Sequence, residues 1–524
     1  MKKKILIVGS GLASISACKA LIKRGFKPII YDIGNDLDLS REKIKKKLSN
    51  QNHQDWNIND INFITKNNTI LKNPIPKKLA FGSNYLYGSK NSNSIIKNID
   101  PPPFSNAKGG FSVAWGASVL PPDNCDIKDW PLNHVELNKY YKEILKDIPY
   151  SGLDDMLSMK FPIIKKPDGN VSLSDGNKKI IESLNNSYLK NSDDFLYGQS
   201  RLLLNVLNNK NSCKYCGACM SGCVYDSIYK ANLDLEKLIK MNKINYYSNK
   251  EVLSFEESHN HVVVEYLEEN KIKKEKFDKL FVGAGVFNST KILLKSKKII
   301  DQKAYIKTTH SIILPILSAK GTELNWPNIN TMPGIFLEFK NTLVSNNWIH
   351  VQLSTPNEMV LEKFRFKESK KKLFLSSIKK FLINRTYIAH INMHSDLSGH
   401  YEISYKIDKN HKHIFVTKKI NNSNSRTVTK LSLKKLSEIL KVIKLYPLNF
   451  LSKTSDNFES FHLGSSIPMK IKTKNLLETD LLGRPHQTKN VHIIDSSILP
   501  SLPATTIGLV TMANAYRIGF EAKI

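Results

Sequence analysis

The sequence predicts an α/β fold in two domains, one on a discontinuous parallel sheet and one on a mainly antiparallel sheet. Three observations carry this. The chain has 524 residues, too many for one simple core. Two apolar runs, 4–8 and 277–282, each end in a glycine turn that opens a helical pattern. From about 305 to 413 the glycine turns stop and apolar residues alternate with polar ones.

The first element fixes the rest. Lys4-Ile5-Leu6-Ile7-Val8 reads as a buried strand, and Gly9-Ser10-Gly11-Leu12-Ala13-Ser14 follows at once. A helical pattern covers 15–23 and stops at Gly25, a natural C-cap. A second strand, 28–31, closes on Asp32. This is the order of a dinucleotide-binding unit. Gly9 permits the tight turn and Gly11 lets the backbone approach a pyrophosphate. The helix N-terminus offers free N–H groups to that anion. Asp32 is spaced to accept from a ribose hydroxyl. Ser14 replaces the third glycine and is small enough for close helix–strand packing.

Composition is ordinary for a globular protein, with 41% hydrophobic and 24% charged residues. The net charge of +31 raises nucleic-acid binding, but the lysines are scattered and no nucleic-acid module is present. No nucleic-acid partner is therefore expected; an anionic membrane surface or an acidic substrate stays open. No run of eighteen uncharged apolar residues is found, so no spanning helix is expected. The Lys2-Lys3-Lys4 start is followed by a strand and a glycine turn rather than a signal core, so a cytoplasmic location is expected. Of six cysteines, four fall within 213–223, which does not suit a secreted disulfide framework.

Further along, 35–98 is polar and reads as loops and short helices, and Pro101-Pro102-Pro103 stops it. The glycines at 109, 110 and 116 surround Trp115, a pattern for backbone lying close to a flat ligand. A helix over 135–144 carries Tyr140 and Tyr141, and 250–255 with 261–267 reads as a hairpin. The 277–282 strand leads through Gly283 and Gly285 into a helix over 288–294, which would close the nucleotide-binding sheet. In the second domain, strands 349–353 and 387–394 put His350, Gln352 and Ser354, and His390, Asn392 and His394, on one polar face each; such a face lines a cavity or meets water. Residues 370–382 form a basic amphipathic pattern with Phe374, Ile378, Phe381 and Leu382 on one face, suited to an anionic membrane surface or to packing on the second domain. Helices over 431–445 and 507–520 and a strand over 490–495 complete the chain.

Taken together, these residues resemble the glucose–methanol–choline family of flavin oxidoreductases. The likeness rests on the first glycine turn with Asp32; on Gly109-Gly110-x-Ser112 with Trp115-Gly116-Ala117; on Trp130-Pro131 and the Tyr140-Tyr141 helix; on Val282-Gly283-Ala284-Gly285; and on His462-x-Gly464-Ser465 with Asp495-Ser496-Ser497 and the last helix. The resemblance implies FAD, held by a discontinuous domain of 1–130, 200–300 and 455–524, with a substrate domain of 131–199 and 301–454. It assigns cofactor contacts to Gly9, Gly11, Ser14, Asp32, Gly109, Gly110, Ser112, Trp115, Gly116, Val252, Gly283, Gly285, Asp495, Ser496 and Ile507. It places His462 at the family's catalytic histidine, and a histidine titrates near neutrality as a base should. The family's second polar residue, usually His or Asn, falls at Thr506, which can anchor a hydroxyl but not act as a base. Thr505 and Thr506 are also natural N-caps, and the helix after them would aim its positive end at the flavin.

Cys213-x2-Cys216-x2-Cys219-x3-Cys223 has ferredoxin-like spacing and is tight for zinc. An iron–sulfur cluster of three or four irons, disulfides or free thiols, and zinc are the alternatives; a cysteine-bearing branch of the family, the sugar dehydrogenase large subunits, points to iron–sulfur. The expected activity is oxidation of a sugar, polyol or related alcohol. Electrons would leave to an acceptor protein or quinone, with peripheral contact at the inner face of the membrane. The rivals are an oxidase making hydrogen peroxide and a non-catalytic electron-transfer flavoprotein.

Overall fold

The computed structural model describes residues 3–65, 79–87, 95–97, 101–322, 328–357, 381–409, 413–456 and 460–524. Its nucleotide-type sheet has five parallel strands in the order Val491–Ile493, Lys279–Val282, Ile5–Val8, Ile29–Tyr31, Asn245–Tyr247. Ile5, Leu6, Ile7 and Val8 are all buried, as a central strand covered on both faces requires. The first helix, Leu12–Lys23, ends in a paired C-cap: Gly25, at φ +86°, donates to Ile22 O at 2.9 Å and Phe26 to Leu21 O at 3.1 Å. This helix packs on the closing helix, Ile507–Glu521, where a Cβ on Gly519 would stand 2.7 Å from Ala17 O.

Beside this sheet lies a three-stranded meander, Glu251–Glu257, Val262–Glu268 and Lys271–Phe277. The hairpin was expected but the third strand was not. Lys-Ile-Lys-Lys-Glu-Lys-Phe carries no apolar alternation because it is an exposed edge, where lysines discourage further pairing.

The larger antiparallel sheet runs Leu445–Pro447, His310–Ser318, Thr386–Met393, Ser345–Ser354, Ile335–Asn341, Phe195–Gln199. One face presents Ile312, Leu314, Val351, Leu353, Ala389 and Ile391 to a core completed by Leu433, Leu436 and Leu440 of the helix Ser425–Val442. That helix starts six residues earlier than its apolar period suggests and stops at Lys444, which takes φ +59°. A further sheet joins the halves: the short strand Leu463–Gly464 pairs with Lys303–Thr308, and that pairs with His400–Ile407. Residues 370–382 lie outside the described residues except for Phe381 and Leu382, which are exposed. Among the described residues no helix is long and apolar enough to cross a membrane.

Candidate functional site

Because Ile5–Val8 and Lys279–Val282 are parallel neighbours, the turns that follow them lie side by side at one sheet edge. Their glycines do different jobs. Gly9 sits at φ +88°, and a Cβ there would stand 2.7 Å from Gly283 O, so Gly9 lets the turns touch. Gly11 and Gly285 are the opposite: a Cβ on either meets nothing within 4 Å. Both border a cleft of about 1360 Å³ including its open mouth. Ser14 does not line it. Its buried hydroxyl bonds Val8 O and Gly283 O, each at 3.1 Å, and so ties the two strand ends together.

Asp32 is buried at the cleft wall. Its Oδ2 accepts from the Ser10 hydroxyl and, at 3.3 Å, from Tyr246 OH. Burial pushes its carboxyl up to about 6, against the pull of those hydrogen bonds. Ser10 in turn accepts from Gly109 N at 2.9 Å, which brings the third glycine segment onto the first. Gly109 is at φ +94°, and a Cβ on Gly110 would reach within 3.3 Å of Gly11 Cα. Ser112 braces this turn, donating to Gly109 O at 2.6 Å and accepting from Ala231 N at 2.9 Å.

Of the residues expected to touch a cofactor, Gly9, Gly11, Asp32, Gly110, Ser112, Val252, Gly283, Gly285, Asp495, Ser496 and Ile507 line the cleft. Ser14, Gly109, Trp115 and Gly116 lie outside its wall. Trp115 donates to Tyr229 O at 2.6 Å and lays its ring against Gly508 at the start of the closing helix. Asp495 lines the cleft but is engaged by the chain at both oxygens. Oδ2 accepts from Gly285 N at 2.9 Å and Ser289 Oγ at 2.5 Å; Oδ1 accepts from Ser497 N at 3.0 Å and Ser497 Oγ at 2.5 Å. It holds the Gly285 turn in place.

His462 is half-buried between Phe461 and Leu463, both of which line the cleft. Its Nδ1 stands 3.4 Å from Thr309 Oγ1. Thr309 is fully buried and lies 3.5 Å from Ser311 Oγ, which donates to Asn392 Oδ1 at 2.7 Å. The polar sheet face is thus continuous with the histidine. His350, Asn392 and His394 on it are buried, and Gln352, Ser354 and His390 half-buried. Thr506 takes the N-cap position of the closing helix but makes no side-chain cap bond. The expected capping role is corrected accordingly. The hydroxyls of Thr505, Thr506 and Thr511 are all buried without a hydrogen-bond partner, and Thr511 lines the cleft. A buried polar atom left so is costly, and a ligand is one way to satisfy it.

Ser10, Tyr246, Thr309 and Thr511 are site residues that sequence reasoning missed. Ser10 stood between two glycines and was legible; Tyr246 lies 214 residues from its partner and was not.

The cysteine window supports one of its expected alternatives, free thiols, more directly than a metal. Cys213, Cys216, Cys219 and Cys223 line one small cavity, and no disulfide joins any of the six cysteines. Cys213 accepts from Asn330 Nδ2 and Cys223 from Ser227 N, each at 3.3 Å. Among the described residues, however, no group of three or more His, Cys, Asp or Glu is arranged to hold a metal. The expected iron–sulfur site therefore has no support from the geometry.

No family model matches the chain, and no curated protein matches it. Among solved structures it is similar to pyridoxine 4-oxidase from Mesorbium loti, with a TM-score of 0.57 and 12% identity over 99% of this chain and 98% of that one. The fold is that of the glucose–methanol–choline oxidoreductases. The likeness is one of fold and does not distinguish branches of the family.

The residues at the cleft fit FAD. Two glycines face open space where a pyrophosphate would lie, and the helices after them, Leu12–Lys23 and Val286–Ser296, point their N-termini there. The buried Asp32 carboxyl lines the same cleft.

Proposed function

We propose that this chain is an FAD-dependent oxidoreductase acting on the CH–OH group of an alcohol. The observation that carries the reading is the open cradle at Gly11 and Gly285 above a buried acid. FAD, when bound, supplies a two-electron acceptor for the carbon hydrogen. The protein does the rest. Gly11 and Gly285 admit the pyrophosphate and the flanking helix N-termini offset its charge. Asp32 orients the ribose. The N-terminus of the closing helix, at Ile507, favours negative charge on whatever lies in the cleft beside it. His462 takes the alcohol proton on its imidazole, and Thr309, at Nδ1, fixes the ring. Thr506 offers its unpartnered hydroxyl as a second anchor. The parallel-sheet half is the cofactor domain and the antiparallel sheet the substrate side.

The buried polar face at His350, Asn392 and His394 supports a sugar, polyol or related alcohol as substrate. In the dehydrogenase reading, electrons pass to an acceptor protein or to a quinone met at the inner face of the membrane. A second reading, an oxidase that reduces dioxygen to hydrogen peroxide, is favoured by the similar structure, which is named an oxidase. Anaerobic titration with a panel of sugars, polyols and pyridoxine tests the reading. Bleaching of the visible flavin band is expected with at least one alcohol. Peroxide yield on admitting air then separates the two acceptors. A purified chain that binds no flavin refutes the reading.

A further inference from the structure

Two charged side chains in the cleft are unaccounted for by the glycine turns, by Asp32 and by His462. Lys291, on the helix Val286–Ser296, is only 8% exposed yet lines the cleft. Its neighbours are neutralised. Lys250 pairs with Glu268 at 3.0 Å and Lys295 with Glu265 at 2.8 Å. The Lys291 ammonium has no ion pair or hydrogen bond among the described residues. Its ammonium instead lies over the rings of Phe287 and Phe415, 5.3 and 5.8 Å from their centroids. Burial lowers its pKa, and the charge that opposes this comes from Glu251.

Glu251 is the complement. It begins the strand Glu251–Glu257 and lines the same cleft, and its carboxylate likewise has no hydrogen bond or ion pair among the described residues. Its carboxyl is pushed up by burial and drawn down first by Lys291. Strand and helix are held together where Phe255 N donates to Ser296 Oγ at 2.8 Å. The two charges therefore face one cleft without meeting.

Their place in the cleft is fixed by Asp32. Lys250 N donates to the main-chain Asp32 O at 3.0 Å, so the strand that carries Glu251 and Val252 starts beside the residue that would hold the ribose. What lies one step beyond a ribose is its base. Adenine presents, on either polar edge, a ring nitrogen that accepts next to an exocyclic amine that donates. An ammonium and a carboxylate separated by a gap match that pair. Guanine puts a carbonyl where adenine has its amine, and would set a lone pair against Glu251.

We propose that Lys291 and Glu251 read the edge of the cofactor's adenine, Lys291 donating to a ring nitrogen and Glu251 accepting from the exocyclic amine. The inference deepens the FAD reading and rests on it for the ribose at Asp32. It gives the chain a means of choosing an adenine dinucleotide over FMN and over a guanine analogue.

The test uses the full chain stripped of flavin, titrated calorimetrically with ADP, GDP, FMN and FAD. The wild type is expected to prefer ADP to GDP by about tenfold or more, since one charge-assisted hydrogen bond is worth that much. Lys291→Met should weaken ADP and FAD about tenfold, leave FMN unchanged, and not lower the melting temperature, because a buried ammonium is removed. Lys291→Arg should restore ADP binding. Glu251→Leu should erase the ADP-over-GDP preference. Equal binding of ADP and GDP by the wild type overturns the proposal, as does a wild-type preference retained by both Lys291→Met and Glu251→Leu. Failure of the flavin reading looks different: ADP is preferred, the variants lose the preference, and yet no flavin binds. Binding of no nucleotide at all overturns both.

Discussion

Two glycines two residues apart should fail in opposite ways when given the same methyl group. Gly9→Ala places a Cβ at φ +88° and 2.7 Å from the carbonyl oxygen of Gly283. The left-handed backbone costs about 1–2 kcal/mol. The collision with main chain, which cannot rotate away, adds about 1–3 kcal/mol. The stripped protein should therefore lose roughly 2–5 kcal/mol of stability, a large share of what a domain has. Gly11→Ala is different. Its φ is −70°, open to any residue, and the new Cβ touches nothing within 4 Å. Stability of the stripped chain should stay within about 1 kcal/mol, because the lower unfolded-state entropy offsets a poorer N-cap. The methyl instead occupies the space for the pyrophosphate. Losing one or two charged hydrogen bonds of about 1.5–3 kcal/mol each should weaken FAD at least tenfold. Urea unfolding of the stripped chains reads the first quantity and quenching of FAD fluorescence on titration reads the second. If Gly11→Ala binds FAD as tightly as wild type, or unfolds as easily as Gly9→Ala, the division between a structural and a ligand-facing glycine is wrong.

Other consequences are as direct. His462→Ala should keep its yellow flavin and lose about 10²–10⁴-fold in kcat on whichever alcohol bleaches the wild type; normal turnover removes His462 as base. Asp32 gives a pH signature: its carboxyl titrates near 6 in the stripped protein against an ordinary 3.8, so the folded state holds a proton that the unfolded state has released. Stability should be highest below about 4, fall by about 3 kcal/mol as pH rises to 6, and be level in this respect above it. Asp32→Asn should flatten that slope in urea unfolding between pH 4 and 6, and an unchanged slope would assign it elsewhere. Cys219→Ser should leave flavin content unchanged, and loss of flavin would tie the 213–223 window to the cofactor cleft; iron analysis and EPR of anaerobically purified protein decide whether that window holds metal. Cys18, buried and pushed up to about 12, should react with thiol reagents only after unfolding.

The sequence by itself determined the parts whose causes are local. A buried β-branched run, a glycine needing positive φ, a helix that stops at Gly25 and an acid at the end of the second strand are all written within a few residues of one another. Hence the first unit, the 279–296 unit and the closing helix were legible. Periodicity was also enough to separate the parallel from the antiparallel half. It failed for Lys271–Phe277, whose lysines record only that the strand is an edge. The tertiary structure decided everything that depends on distant segments meeting. Ser10 joins Asp32 to Gly109, Tyr246 reaches Asp32 from 214 residues away, Asp495 spends both oxygens on Gly285, Ser289 and Ser497, and Thr309 stands at His462. The same holds for the cysteines, four of which the fold brings to one cavity. Spacing along a chain limits which side chains can meet; the direction in which each points follows from backbone angles and packing, and these are settled only when the whole chain has folded.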